Sequence, residues 1–155
     1  MAERITTELD ALIPLIRERL AAGQSVCISP RGLSMQPMLR QGRDTVTLSA
    51  PPARLKWYDL PLYQRADGHY VLHRIIRVGD TYTCIGDNLF ALEHGITQDQ
   101  IIAVVTSFTR DGKNYNVSDR SYRLYCSAWH AIRPIRNLWR KGANFLRRVR
   151  RKVRL

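Results

Sequence analysis

The sequence predicts a mainly β protein of the α+β class, with a helix at its N-terminus and a basic helical tail at its C-terminus. Three patterns indicate this class. Apolar residues recur at helical steps near the start, short runs rich in Val, Ile, Tyr and Thr fill the middle, and a basic segment with helical spacing ends the chain. A chain of 155 residues can form one domain with an appended tail. We therefore expect a helix over residues 1–23, a β domain over 24–119 and a tail over 120–155.

The N-terminal helix is predicted over residues 5–22, because its apolar residues recur mostly every three or four positions. Pro14 is expected to kink this helix or to mark the first turn of a shorter one. Gly23 stands where a helix C-cap glycine is favoured. The apolar residues that define the predicted buried face are Ile5, Leu9, Leu12, Ile13, Ile16 and Leu20.

The central region is predicted to be β-structured, beginning with Val26 and Ile28 on one face of a short strand. Asp67-Gly68 and Gly79-Asp80 are typical hairpin turns, because both residue types tolerate positive φ. Further strands are predicted over residues 45–48, 60–64, 70–77, 81–85 and 100–109.

The charge of the chain is concentrated in the tail. Residues 1–119 carry equal numbers of basic and acidic residues, so the formal net charge of +12 resides in residues 120–155, which contain no acid. Apolar residues including Trp129 and Trp139 follow one helical face there, and Pro134 should divide the tail into two helices. We expect contact with an anionic membrane surface or an acidic partner. Nucleic acid is a weaker alternative, because a phosphate backbone provides no apolar surface for the apolar face of the tail to contact.

Several classes of protein are disfavoured. No run of 18 apolar residues is present, and charged residues interrupt the first 20 positions, so we predict neither a membrane span nor a signal peptide. We expect a cytoplasmic location with peripheral contact at the inner membrane face. The sequence predicts no cofactor and no metal, since there is no glycine-rich phosphate loop or metal-ligand spacing. The cysteines, expected as free thiols, are Cys27, Cys84 and Cys126, and the histidines without ligand spacing are His69, His94 and His130.

A serine, a histidine and an aspartate form a candidate catalytic set. Ser34 follows a predicted strand in a turn, His73 lies 39 residues later in an apolar run, and Asp87 follows in Gly86-Asp87-Asn88. A serine hydroxyl needs a neighbouring base to act as a nucleophile, and a carboxylate commonly orients that base. Taken alone, the same residues also fit an ordinary turn serine and a structural histidine.

The segment GLSMQPMLRQG, with Gly32, Ser34, Met35 and Pro37, resembles the nucleophile box of the signal peptidase and LexA-like serine peptidase superfamily. Residues 73–75 resemble the second box of the members that use histidine instead of lysine as the base. Residues 86–88 resemble the third box. The similarity extends over roughly residues 20–108 and implies a coiled β-sheet fold.

The resemblance implies that Ser34 is the nucleophile, His73 the general base and Asp87 the supporting carboxylate. The Ser34 N–H, with help near Gly32, would hold the oxyanion. Asp99 is an alternative to Asp87. The remaining box residues, expected to support the site, are Met35, Pro37, Arg74, Gly86 and Asn88.

The sequence departs from the family pattern at two turns. Arg43 separates Gly42 from Asp44 where the family usually has Gly-Asp, and Leu60-Pro61 follows Asp59 before the next strand. Both departures concern turns of the scaffold and leave the serine and the histidine unchanged.

The expected function is that of a serine endopeptidase that cleaves a peptide or protein precursor, such as a leader sequence, through an acyl-enzyme. One alternative is an inactive signal-peptidase-like scaffold that binds a peptide along a sheet edge. Another is a LexA-like regulator whose basic tail binds nucleic acid. Self-cleavage at Gly23, an Ala-Gly bond of the kind LexA-type proteins cut, is disfavoured because this glycine suits a helix end.

Overall fold

The computed structural model describes residues 2–140 and 142–143 of the chain. These belong to two compact units, Met1–Asp119 and Arg120–Leu155. The prediction of an α+β protein is confirmed, because antiparallel sheets make up most of the first unit and helices begin and end the described chain. The elements are α1 (Ala2–Ala21), β1 (Val26–Ile28), β2 (Thr45–Ser49), β3 (Pro61–Gln64), β4 (Tyr70–Leu72), β5 (Arg74–Val78), β6 (Tyr82–Ile85), β7 (Glu93–Ile96), β8 (Ile101–Arg110), β9 (Lys113–Asn116), α2 (Arg120–Ala131) and α3 (133–140).

Two antiparallel sheets form the first unit. The larger sheet has the strand order β1-β2-β8-β3-β4, and β9 pairs with β8. The smaller sheet has the order β5-β6-β7. A shared core joins them: Tyr63 and Val104 of the larger sheet belong to the same buried cluster as Ile75 and Cys84 of the smaller one. Burial raises the pKa of the Cys84 thiol to about 12, which keeps it protonated at neutral pH.

The strands differ from the prediction in two respects. The strand expected over residues 70–77 is interrupted at His73, where the chain leaves the larger sheet as β4 and enters the smaller one as β5. The sequence also does not predict β7 and β9, whose letters EHGI and KNYN lack the alternation of apolar and polar residues. Pairing with β6 and β8 therefore makes these segments extended.

Helix α1 contains Pro14 in its interior and runs unbroken to Ala21. Its Ile13, Ile16 and Leu20 are buried, as the predicted apolar face requires, whereas Leu12 of the same predicted face is 43% exposed. Gly23 ends the helix with a φ of 73°, and its N–H donates to the Leu20 carbonyl at 3.0 Å. This is the left-handed C-cap that the sequence predicts.

The tail divides as the sequence predicts. Helix α2 ends at Ala131, residue 132 is a turn, and Pro134 takes the second position of α3. The first turn of a helix tolerates proline, because its N–H would have no partner there. The predicted tail continues beyond the described residues. Within the described part of the chain, no helix combines the length and apolarity that crossing a bilayer requires.

We predict that Pro14→Ala stabilises the first unit. Alanine restores the N–H that proline lacks inside α1 and removes the ring that crowds the preceding turn, a gain of up to about 3 kcal/mol. The free energy of unfolding from urea titration measures the change. Pro52→Ala, at an exposed position outside any helix, is the matched control and should gain little. A Pro14→Ala protein no more stable than this control would contradict the prediction.

Candidate active site

Ser34 lies in a tight turn between β1 and β2. Gly32 enters the turn with a φ of 93°, a value that favours glycine, and the Gln36–Pro37 peptide bond is cis. Ser34 itself is partly exposed. Three neighbouring apolar side chains are buried and anchor the turn: Met35, Met38 and Leu39. The backbone at Ser34 is therefore held in place at the surface.

The loop after β6 holds this turn from the other side. The Asn88 backbone N–H donates to the Ser34 carbonyl at 2.8 Å, and the Asn88 side-chain amide donates to the Leu33 carbonyl at 3.1 Å. Gly86 allows this approach, because a Cβ added there would lie 2.7 Å from the Ser34 carbonyl oxygen. The structure therefore brings the predicted first and third boxes into direct contact.

Arg74 and Asp87 form a fully buried ion pair beneath the same turn. Arg74 Nε donates to Asp87 Oδ1 at 2.7 Å, and Arg74 Nη2 donates to Asp87 Oδ2 at 2.6 Å. Both side chains are completely shielded from solvent. Arg74 Nη2 also lies 2.9 Å from the sulfur of Met38, so the guanidinium connects the β6 loop to the turn that carries Ser34.

His73 is buried, with 2% of its surface exposed, at the point where β4 gives way to β5. In the β5–β6 register Arg74, the residue after His73, pairs with Ile85, the residue before Gly86. Gly86 in turn packs closely against the Ser34 carbonyl. Among the described residues, the Ser34 hydroxyl and the His73 ring are not hydrogen-bonded to each other. Catalytic hydrogen bonds often form only when substrate is bound.

The carboxylate that meets His73 is Glu93, which the sequence analysis does not identify. His73 Nδ1 lies 3.0 Å from Glu93 Oε1, and Tyr63 Oη donates to Glu93 Oε2 at 2.6 Å. Arg65 donates to both Glu93 oxygens, with Nε at 2.9 Å from Oε2. Glu93 thus accepts from three side chains that belong to, or adjoin, the larger sheet.

The charge of Glu93 is well stabilised. Burial opposes ionisation, but hydrogen bonds from Arg65, His73 and Tyr63 outweigh it and hold the pKa of Glu93 well below its usual range. Burial and the hydrogen bond to Glu93 raise the pKa of Tyr63, so this phenol stays a donor. An ionised carboxylate can only accept, and so His73 Nδ1 must carry a proton. Nε2 is then the atom that can accept one.

The structure places Asp87 against Arg74 and Glu93 against the His73 ring, so the expected support of the dyad by Asp87 stays a prediction. Both Asp87 oxygens accept from Arg74, whereas the carboxylate at His73 Nδ1 belongs to Glu93. The alternative, Asp99, is exposed in the short 3₁₀ helix Gln98–Gln100. Glu93 lies in β7, which the sequence does not predict, and no spacing rule links residues 73 and 93.

The Gly32 backbone N–H, next to the expected oxyanion site, has a side-chain acceptor in the structure. The Gly32 N–H already donates to Gln41 Oε1 at 2.9 Å, an interaction that pins the start of the turn. The oxyanion hole expected from the Ser34 N–H and a group near Gly32 stays a prediction.

A groove of about 740 Å³ opens beside Ser34 within the first unit. Both edge strands of the larger sheet, β1 and β4, contribute to its walls, and α1 contributes Leu12 and Leu15. These two leucines are 43% and 46% exposed, so the groove is apolar and open to solvent. Its other residues beside Ser34 include Val26, Ile28, Val71 and Met35.

No group of three or more His, Cys, Asp or Glu residues that could hold a metal ion occurs among the described residues. Comparison of the chain with protein-family models, with curated proteins and with solved structures finds no match.

We predict that Asp87→Ala strongly destabilises the first unit. The substitution leaves the Arg74 guanidinium buried without its carboxylate, at a cost of about 3–5 kcal/mol. Urea unfolding of Asp87→Ala beside Asp80→Ala, which removes an exposed aspartate, measures the difference. Equal stability of the two variants would show that the ion pair contributes little.

A second prediction concerns acid stability. Because the folded-state pKa of Glu93 lies below its ordinary value of 4.5, its contribution to stability is present above pH 4.5 and is lost as the pH falls below it. Glu93→Gln should therefore flatten the decline in unfolding free energy below that pH, relative to the wild type. Asp99→Asn, which removes an exposed carboxylate, controls for net charge. Parallel pH profiles of wild type and Glu93→Gln would be inconsistent with this pKa shift.

Proposed function

We propose that this chain is a serine endopeptidase of the Ser-His type, similar to the signal peptidase and LexA-like superfamily. Ser34 acts as the nucleophile, His73 as the general base, and Glu93 as the carboxylate that orients His73. The observation that carries this proposal is the 3.0 Å contact between His73 Nδ1 and the partly buried Glu93 carboxylate, whose lowered pKa keeps it ionised. In this tautomer Nε2 is the ring atom that can take a proton from the serine.

The proposed reaction follows from that arrangement. Ser34 Oγ attacks the carbonyl carbon of a peptide bond while its proton passes to His73 Nε2. The Ser34 N–H stabilises the oxyanion. The imidazolium then gives its proton to the leaving amine, which leaves an acyl-enzyme, and water hydrolyses that ester with His73 again as the base. Glu93 stabilises the positive charge on the ring at each of these steps.

The proposed substrate is an extended segment of a protein or peptide precursor, such as a leader sequence. The groove beside Ser34 supports this, because its walls include the two edge strands β1 and β4. An edge strand offers unpaired backbone groups to a peptide, and the apolar side chains around it select apolar residues. The resemblance at residues 32–42, 73–75 and 86–88 supports the same assignment.

A second candidate is a peptide-binding scaffold without catalysis. Among the described residues the contacts of the His73 ring are with Glu93 and Tyr63 and include no hydrogen bond to Ser34, which favours this candidate, because a serine without a hydrogen-bonded base is a poor nucleophile. The groove would then bind a peptide and release it unchanged.

Active-site labelling separates the two candidates. We expect a serine-directed acylating probe to add one adduct to the wild type, none to Ser34→Ala, and none or a trace to His73→Ala, as read by intact mass. Glu93→Gln should slow acylation by roughly a hundredfold or more, since general-base catalysis by a misoriented histidine is lost. Ser25→Ala and His94→Ala, at exposed positions, are matched controls that should label normally. Equal labelling of wild type and Ser34→Ala would reject Ser34 as the nucleophile, and no labelling of any protein would favour the scaffold.

A further inference from the structure

Helix α3 exposes a continuous apolar face. Ile135, Leu138 and Trp139 are 68%, 73% and 77% exposed, values unusual for side chains of this size. Their spacing of three and four residues aligns them on one side of the helix. In α2, Leu124 is likewise 71% exposed. An indole ring and two aliphatic side chains in water indicate a surface that functions in contact with something apolar.

Cationic side chains occupy the other side of the same helix. By helical spacing, Arg133 and Arg140 lie opposite the apolar face, and Arg136 lies at its border. The Arg136 guanidinium lies 3.6 Å from the centroid of the Trp129 ring, and that ring stacks on Tyr125 at a centroid distance of 6.2 Å. Residues 120–155 as a whole contain no acid to neutralise these charges.

We propose that the tail helices α2 and α3 bind peripherally to a bilayer that contains anionic lipids. The apolar face of α3 enters the boundary between headgroups and acyl chains, with the Trp139 ring at the headgroup level. The arginines bind lipid phosphates, which guanidinium recognises in a bidentate manner. This inference is independent of the proposed peptidase activity, because it rests on the second unit alone.

The combination of features favours a membrane over other occupants. Nucleic acid would satisfy the arginines but would leave Ile135 and Leu138 in water. A second copy of the tail could cover the apolar face, yet it would bring two strongly basic segments together without any acid between them. An anionic bilayer supplies both the apolar layer and the negative charge.

Sedimentation of the full chain with lipid vesicles tests the proposal. We expect binding to vesicles of phosphatidylcholine with about one-third phosphatidylglycerol, and at least about tenfold weaker binding to pure phosphatidylcholine, since each basic residue near an anionic surface contributes to affinity. The triple variant Ile135→Ser/Leu138→Ser/Trp139→Ser should lose at least about tenfold in affinity for the anionic vesicles. Trp57→Ser, which removes a 51% exposed tryptophan from the first unit, is the matched control and should bind normally.

A fluorescence measurement tests the depth of Trp139. In the double variant Trp57→Phe/Trp129→Phe, Trp139 is the single tryptophan, and its emission should shift to the blue on addition of anionic vesicles. The proposal is overturned if the full chain fails to sediment with anionic vesicles at low salt. It is also overturned if the triple variant binds them as tightly as the wild type, which indicates charge attraction alone. Loss of self-association in the triple variant with unchanged vesicle binding would identify a second copy as the occupant.

Discussion

The buried ion pair of Arg74 and Asp87 is the constraint on which the candidate site depends. Two charges without exposure to water are tolerated only when they are well hydrogen-bonded, and the two hydrogen bonds of this bidentate pair largely meet that demand. The guanidinium also contacts the sulfur of Met38 and the carbonyl of Tyr58. One side chain thereby joins the serine turn, the loop after β6 and the segment before β3. The position of Ser34 relative to the smaller sheet follows from this junction.

The second organising feature is the set of hydrogen bonds around Glu93, which connects the two sheets. Tyr63 belongs to β3, Arg65 follows that strand, and Glu93 begins β7 of the smaller sheet. His73 lies between them at the crossing from one sheet to the other. Tyr63 and Arg65 hold the Glu93 carboxylate in one orientation, and the carboxylate in turn orients the imidazole of His73. The tautomer of His73 is therefore a consequence of how the sheets pack.

Much of the fold could be predicted from the sequence, because α1, most strands and the division at Pro134 carry clear periodic or turn signals. The contact between the Ser34 turn and residues 86–88 could be anticipated only through resemblance to a family. Glu93 could not be anticipated at all, since β7 has no apolar alternation and its partner lies 20 residues away. The partner of Asp87 was equally hidden: Arg74 and His73 are adjacent in the sequence, and only the register of β5 determines which of them faces the aspartate. Long-range polar pairing leaves no local signature.

The arrangement separates the groups proposed for chemistry from those proposed for recognition. His73, Glu93 and the loop that fastens Ser34 are tied to the smaller sheet, whereas the groove takes its walls from α1 and the edge strands of the larger one. Substitutions at Leu12, Val26 or Val71 can therefore reshape the groove without disturbing the polar contacts of the base. Because of this division, substitutions in the groove can change which peptide sequences are preferred while the proposed catalytic groups stay the same. The scaffold can therefore evolve new specificities.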